Sequence, residues 1–189
     1  MATLPSFSLL RQHFPYKVAS AGPAGALVKS NKELVQLIGG RLEKSLSAVY
    51  PDLDAMNACA IRLSYCLNKP ALPVGQGGVA RIYAGKDTKL YTISADEMIS
   101  YMKSRYGKPV KKWDGNKKPG ANLLEAVKVP TQGIIGYDWQ GRTADFGASG
   151  HLDIGKMIDI GGQVHISLTG TGQYFISGPM LVYMWECTA

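Results

Sequence analysis

From Gly133 onward the chain changes character. Short apolar segments separated by glycine-rich turns follow one another: Gly133–Trp139, His151–Ile154, Met157–Ile160, Val164–Leu168 and Met180–Trp185. Such runs read as strands. The first third reads as mostly helical. Phe7, Leu9 and Leu10 lead to Pro15, and Leu34, Leu37, Ile38, Leu42, Leu46 and Val49 recur at helical spacing, interrupted by Gly39-Gly40. Asp52–Asn68 predicts a short helix closed by Asn68-Lys69-Pro70. Ser94-Ala-Asp-Glu97 fits a capping box opening a helix that Gly107-Lys-Pro109 ends. Helices first and strands after predict an α+β domain with an antiparallel sheet. No repeat or linker divides the chain, so residues 1–189 read as a single domain.

Between these regions, Leu72–Lys89 is rich in Gly and Pro, with Gly75–Gly78 suggesting a surface loop and Ile82-Tyr83 a short strand. Neither Gly75–Gly78 nor Gly170-Thr-Gly172 carries a full phosphate-loop or dinucleotide fingerprint, so no cofactor is predicted. Lys111, Lys112, Lys117 and Lys118 crowd one loop, as a solvated turn or a polyanion contact. The 21 Lys and Arg against 14 Asp and Glu leave a net charge of +7, which favours an anionic partner without choosing among nucleic acid, anionic lipid and a carboxylate-rich cell-wall polymer. Aromatics do not alternate with basic residues on any one strand, so no nucleic-acid motif stands behind the charge. No apolar run approaches the roughly 18 residues of a membrane span. The start, Met1–Phe7, lacks the basic and apolar stretches of a secretory signal, so work outside the cytosol requires another carrier.

Three cysteines, Cys59, Cys66 and Cys187, are too few and too odd in number for a disulfide scaffold. No His or Cys pair has zinc-site spacing, so no metal is predicted. Cys59 lies in Met56-Asn-Ala-Cys-Ala-Ile-Arg-Leu-Ser64, where Asn57 or Asp54 as N-cap places the thiol in a first helical turn. There the helix dipole and orphan N–H groups favour a thiolate nucleophile. The rival reading is a buried, inert small hydrophobe. Cys66, seven residues later at the far end of the helix, reads as core packing.

His151 heads an apparent strand after Gly147–Gly150 and is the candidate base. An acid orienting its ring comes from Asp159 or Asp153. A three-residue turn at Gly155-Lys156-Met157 brings Asp159 back across a hairpin, diagonal to His151, and this is the favoured assignment. A two-residue turn at Gly155-Lys156 favours Asp153 instead. His13 reads as a surface or capping residue, and His165 as a strand histidine that remains the alternative base.

These residues also carry a family resemblance. Leu4–Leu10 with Phe14-Pro15, Ile38-Gly-Gly40, Asn57-Ala-Cys-Ala-Ile-Arg-Leu-Ser-Tyr-Cys-Leu-Asn68, Leu72-Pro73, Tyr106–Pro109, Gly150-His-Leu-Asp-Ile154 and Val182–Glu186 resemble the fourth family of type VI secretion amidase effectors. That family is papain-like and related to NlpC-type cell-wall hydrolases. The resemblance covers most of the chain. It implies N-terminal helices packed on an antiparallel sheet and hydrolysis of the γ-D-glutamyl–meso-diaminopimelate amide of peptidoglycan stem peptides, in the periplasm of an attacked Gram-negative cell. It implies Cys59 as nucleophile and His151 as general base, delivery by the injection apparatus, and a cognate immunity protein. Nucleic acid and membrane are not expected partners. The family's third residue, an Asp about eleven residues past the His, has no counterpart here, and Ile154-Gly155 stands where the family has Leu-Trp. The alternatives are a papain-like acyltransferase or an amidase for another substrate, and a binding module without catalysis. Delivery to an oxidising compartment raises the further expectation that Cys66 and Cys187 pair.

Overall fold

The computed structural model describes residues 2–15, 28–70, 74–75, 81–109, 111–114, 131–139, 150–160, 163–168, 172–174 and 181–188. The chain divides into a helical unit, Leu9–Tyr101, and a sheet unit made of Met1–Ser8 and Met102–Ala189. Helix α1 (Phe7–His13) and a later helix, α5 (Ala95–Tyr106), each contribute residues to both.

In the helical unit α2 (Asn31–Ile38) and α3 (Gly40–Val49) form where the apolar periodicity predicts them. Ser30 opens α2 with a reciprocal cap that the sequence reading did not identify: its Oγ accepts from the Glu33 N–H at 3.2 Å, and Glu33 Oε2 accepts from the Ser30 N–H at 2.7 Å. Gly39-Gly40 ends one helix and starts the other with φ of +62° and +70°. The second glycine has a steric reason: a Cβ there would sit 2.5 Å from the carbonyl carbon of Gly85. Gly85 follows the strand β1 (Ile82–Ala84), which pairs antiparallel with β2 (Leu90–Thr92), and Lys86 donates its N–H to the Ile38 carbonyl at 3.0 Å.

Leu34, Val35, Ile38, Leu42, Leu46, Ile61 and Tyr91 meet in one buried cluster. Each such side chain contributes roughly 1.5–3 kcal/mol relative to exposure, so burial of the apolar stripes, more than helix propensity, holds α2 and α3. Tyr91 donates its hydroxyl to Asp87 Oδ2 at 2.8 Å, and burial, with that carboxylate second, holds its phenol above the usual range.

The expected helix over Asp52–Asn68 is two elements. Leu53–Ala55 is a single 3₁₀ turn, Met56 is extended, and α4 runs Cys59–Asn68. Asp52 caps the short turn by accepting the Asp54 N–H at 2.9 Å. Asp54 does not cap α4. Its Oδ1 accepts the Lys32 N–H at 2.9 Å at the start of α2, and that bond is the main reason its carboxyl lies below the ordinary range. At α5 only half of the expected capping box forms. Ser94 Oγ accepts the Glu97 N–H at 3.4 Å, but the Glu97 carboxylate is taken by Arg81, whose Nε lies 2.9 Å from Oε1 and whose N–H lies 2.8 Å from Oε2.

Among the described residues the sheet unit carries one six-stranded sheet. Its strands are β3 (Lys111–Asp114), β4 (Thr131–Asp138), β5 (Gly150–Ile160), β6 (Gln163–Leu168), β7 (Gly172–Tyr174) and β8 (Leu181–Glu186). They lie in the order β3-β8-β4-β5-β6-β7 with every neighbour antiparallel. This is the expected α+β content. Lys111 and Lys112, read as loop residues, stand in β3, whereas Lys117 and Lys118 lie outside the described residues.

The two expected strands His151–Ile154 and Met157–Ile160 are one. β5 runs unbroken from Gly150 to Ile160, so no hairpin turn forms at Gly155–Met157. Gly155 stays in the strand because both sides of it are laddered, to Gly133 of β4 and Leu168 of β6.

Tyr183 and Trp185 share one face of the sheet. Trp185 Nε1 donates to the Gly107 carbonyl at 3.1 Å, and Lys103 Nζ lies 4.0 Å from the centre of the Tyr183 ring. The first residue of α1 joins that side, with Phe7 donating its N–H to the Thr188 carbonyl at 2.9 Å and the Lys156 ammonium 5.8 Å from the Phe7 ring. At Gly133 the strands β4 and β8 are so close that a Cβ would lie 2.1 Å from the Trp185 carbonyl oxygen.

Candidate active site

Cys59 is the first residue of α4 and is 5% exposed. Ala58 occupies the cap position with no side-chain hydrogen bond of its own. Asn57 supplies the missing acceptor from one residue earlier, its Oδ1 taking the Cys59 N–H at 3.1 Å. The first intrahelical bond follows at once, from the Arg62 N–H to the Ala58 carbonyl at 2.9 Å. The N–H groups of Ala60 and Ile61 therefore precede the helical ladder and have no acceptor within the helix. Two opposed effects act on the sulfur: its near-complete burial disfavours an anion, and the positive end of the helix dipole favours one.

The segment leading to Cys59 is held from α2. Asn31 Nδ2 donates to the Met56 carbonyl at 2.6 Å and to the Asp54 carbonyl at 3.2 Å. Arg62 reaches back from α4, with Nη2 on Asn31 Oδ1 at 2.7 Å and Nη1 on the Lys29 carbonyl at 2.8 Å. Sequence reading assigned no role to Asn31, because nothing in a helix-initial Asn discloses a partner 25 residues away.

Cys66, on the same helix, is fully buried, and the three cysteines are unbridged. Cys187, in the sheet unit, follows β8. Burial pushes its thiol up to about 12, and its sulfur lies 3.9 Å from the Trp185 carbonyl.

In the sheet unit His151 is the second residue of β5, cross-strand from Tyr137. Their rings are 6.0 Å apart at 40°, and the Trp139 ring stacks on that of Tyr137 at 6.2 Å and 25°. Tyr137 was not singled out from the sequence, because only the β4–β5 register makes it a neighbour of the histidine.

Asp153 lies two residues along the same strand, hence on the same face as His151, and is 4% exposed. Its Oδ1 accepts the Ile154 N–H at 2.7 Å. Asp159 is eight residues along β5 from His151, a rise of about 26 Å at strand geometry. The diagonal juxtaposition expected of it needed the hairpin that β5 does not make. His165 is cross-strand from Ile158, an odd number of residues from His151 along β5, and His13 closes α1 half-buried.

Among the described residues no group of three or more His, Cys, Asp or Glu is arranged to hold a metal ion, and no helix is long and apolar enough to cross a membrane.

The family model described as type VI secretion system (T6SS) amidase effector protein 4 matches residues 55–171, a span that contains Cys59, His151, Asp153 and Asp159. Solved structures agree on the fold over nearly the whole chain. The Tae4–Tai4 effector–immunity complex from Salmonella Typhimurium superposes with a TM-score of 0.65 at 23% identity, covering 98% of this chain and 99% of that one. The corresponding complex from Enterobacter cloacae gives 0.67 at 20% identity, covering 98% and 99%. The effector Tae4 from Enterobacter cloacae gives 0.66 at 21% identity, covering 99% of both. No curated protein matches the sequence.

Proposed function

From the premise that the chain belongs to the type VI secretion amidase effector 4 family, we propose that it hydrolyses the γ-D-glutamyl–meso-diaminopimelate amide of peptidoglycan stem peptides by papain-like, NlpC-type cysteine catalysis. Cys59 is the nucleophile, His151 the general base and acid, and Asp153 the residue that orients the imidazole. Both units belong to one catalytic domain. The observation that carries the reading is the position of Cys59 as the first residue of α4, held by Asn57, inside the segment that matches the family.

The chemistry follows from the groups. The Cys59 thiolate attacks the amide carbonyl carbon, and the C–N bond breaks as His151 gives its proton to the departing amine of diaminopimelate. His151 then takes a proton from water, which attacks the thioester and releases the D-glutamyl carboxylate and the free thiol. The Cys59 N–H is already engaged by Asn57, so the donors for the oxyanion are the N–H groups of Ala60 and Ile61 at the positive end of α4. Asp153 favours the tautomer that keeps the reacting nitrogen free to exchange a proton. It takes the role in place of Asp159 because it is two residues from His151 on an unbroken strand instead of eight.

The setting is the periplasm of an attacked Gram-negative cell, reached by injection. The net charge of +7 suits a polymer bearing free carboxylates. A cognate immunity protein blocks the enzyme in producer cells, as the Tae4–Tai4 pairing of the structural relatives suggests.

Mass spectrometry of purified muropeptides tests the reading. Wild type should release the fragment split between D-Glu and diaminopimelate. Cys59→Ala should lose at least about 10³-fold in rate, and Asp153→Ala about 10²-fold. Cys66→Ala and Asp159→Ala should stay within about twofold of wild type. Cleavage by Cys59→Ala at the wild-type rate, or no cleavage by folded wild type, would remove the proposal.

A further inference from the structure

We infer that Asn31 and Arg62 form a clamp that positions Cys59, and so act as positioning residues for the reaction; the inference rests on the nucleophilic role proposed for Cys59. The geometry forms a closed circuit. Arg62 stands one turn into α4, three residues beyond Cys59, and its Nη2 binds Asn31 Oδ1 at 2.7 Å. Asn31 turns its amide nitrogen onto the carbonyls of Asp54 and Met56, five and three residues before Cys59. The backbone from 54 to 62 is thus tied at both ends to one side chain, with Cys59 and Asn57, which accepts its N–H, inside the circuit.

Each donor and acceptor has a distinct task. The Asn31 amide accepts from the guanidinium through Oδ1 and donates to two carbonyls through Nδ2 at once. Arg62 has a second anchor, Nη1 to the Lys29 carbonyl at 2.8 Å, and Lys29 in turn donates its N–H to the Pro15 carbonyl at 2.9 Å. On the other flank, Asp54 Oδ1 accepts the Lys32 N–H, so the same short segment is gripped by a side chain of α2 and by its backbone.

Met56 is extended and α4 begins only three residues later, so a shift of the Met56 carbonyl moves Asn57 Oδ1 relative to the Cys59 N–H that it accepts. Such a shift re-aims the Cys59 Cα–Cβ bond and the Ala60 and Ile61 N–H groups together. Nucleophile and oxyanion donors are therefore set by one polar network.

The readouts are the rate of Cys59 alkylation by iodoacetamide at pH 7 on folded protein, located by peptide mass spectrometry, and kcat and KM on purified muropeptide. Asn31→Asp keeps the acceptor for Arg62 and removes the donor to Met56; Arg62→Lys keeps the charge and removes the fork. Each should lower the alkylation rate and kcat roughly tenfold with KM within about twofold, since small misplacements act on the reacting geometry more than on binding.

Arg81→Lys is the control, because it breaks a guanidinium network of the same unit, on Glu97 and Ser94, and should lower the melting temperature without changing either rate. If Asn31→Asp does not fold, Arg62→Lys decides. Variants that melt like the control while retaining wild-type alkylation and kcat overturn the clamp. Failure of the underlying reading looks different: there Cys59→Ala itself still cleaves.

Discussion

The two units hold their candidate functional residues by different means. In the helical unit Cys59 is placed by polar side chains, Asn57 on its own N–H and Asn31 with Arg62 behind it. In the sheet unit His151 is placed by a ladder, since its position opposite Tyr137 follows from the eight-pair register of β4 on β5. A helix start depends on the identity of a few side chains. A strand position is carried by backbone bonds and passes unchanged through most side-chain replacements, but not through anything that separates the strands.

The sharpest way to break this comparison is Gly133→Ala. The added methyl would lie 2.1 Å from the Trp185 carbonyl oxygen, so β4 must part from β8 and the bond from the Cys187 N–H to the Gln132 carbonyl is lost. We expect a cost of about 3 kcal/mol in urea unfolding, far more than a single methyl produces elsewhere on a strand. A change below about 0.5 kcal/mol would show that the sheet accommodates spacing as easily as sequence.

Next in size is an alkaline effect. The Cys187 thiol is raised from 9.0 to about 12 by burial. In the unfolded chain the thiol ionises first, so the native state holds more protons, and stability declines as pH rises from about 9 towards about 12. Below pH 9 the contribution is complete. Between pH 8 and 11 the fall in melting temperature should be smaller by roughly 5 °C in Cys187→Ala than in wild type. The residual fall includes Tyr91 of the helical unit, whose raised phenol adds its own loss above about pH 10. Equal pH profiles for the two proteins would remove the assignment to Cys187.

The smallest expected effect belongs to the helical unit. Ser30→Ala removes the acceptor for the Glu33 N–H and half of the reciprocal cap, at a cost of about 1 kcal/mol. Ser30→Asp should restore most of it, which a loss due only to changed size would not allow.

Much of this architecture was legible in the sequence. The α2 and α3 stripes, the glycine break between them and the antiparallel strands β4, β6 and β8 follow from periodicity, because one face or both of each element must be buried. The errors fall where a local pattern was outcompeted by a distant partner. Asp54 looked like a cap for the helix just after it and was taken by Lys32. Glu97 looked like the second half of a capping box and was taken by Arg81. Gly155-Lys156 looked like a turn, yet a glycine flanked by strands on both sides serves equally well inside a ladder.

The candidate site divides along the same line. Cys59 and His151 were singled out as candidates from residue type and local context. The ranking of Asp159 over Asp153 depended on a turn type, and Asn31 and Tyr137 on tertiary pairing that one sequence does not disclose.

On one side of the sheet the strand order ends in β3, which carries Lys111 and Lys112 in succession; on the other it ends in β7, three residues long. Among the described residues, neither border offers a long uncharged strand to a second molecule. Adjacent lysines repel an incoming copy, and three residues give too few ladder bonds to hold one. Two such borders disfavour edge-to-edge pairing between copies of the chain while it folds.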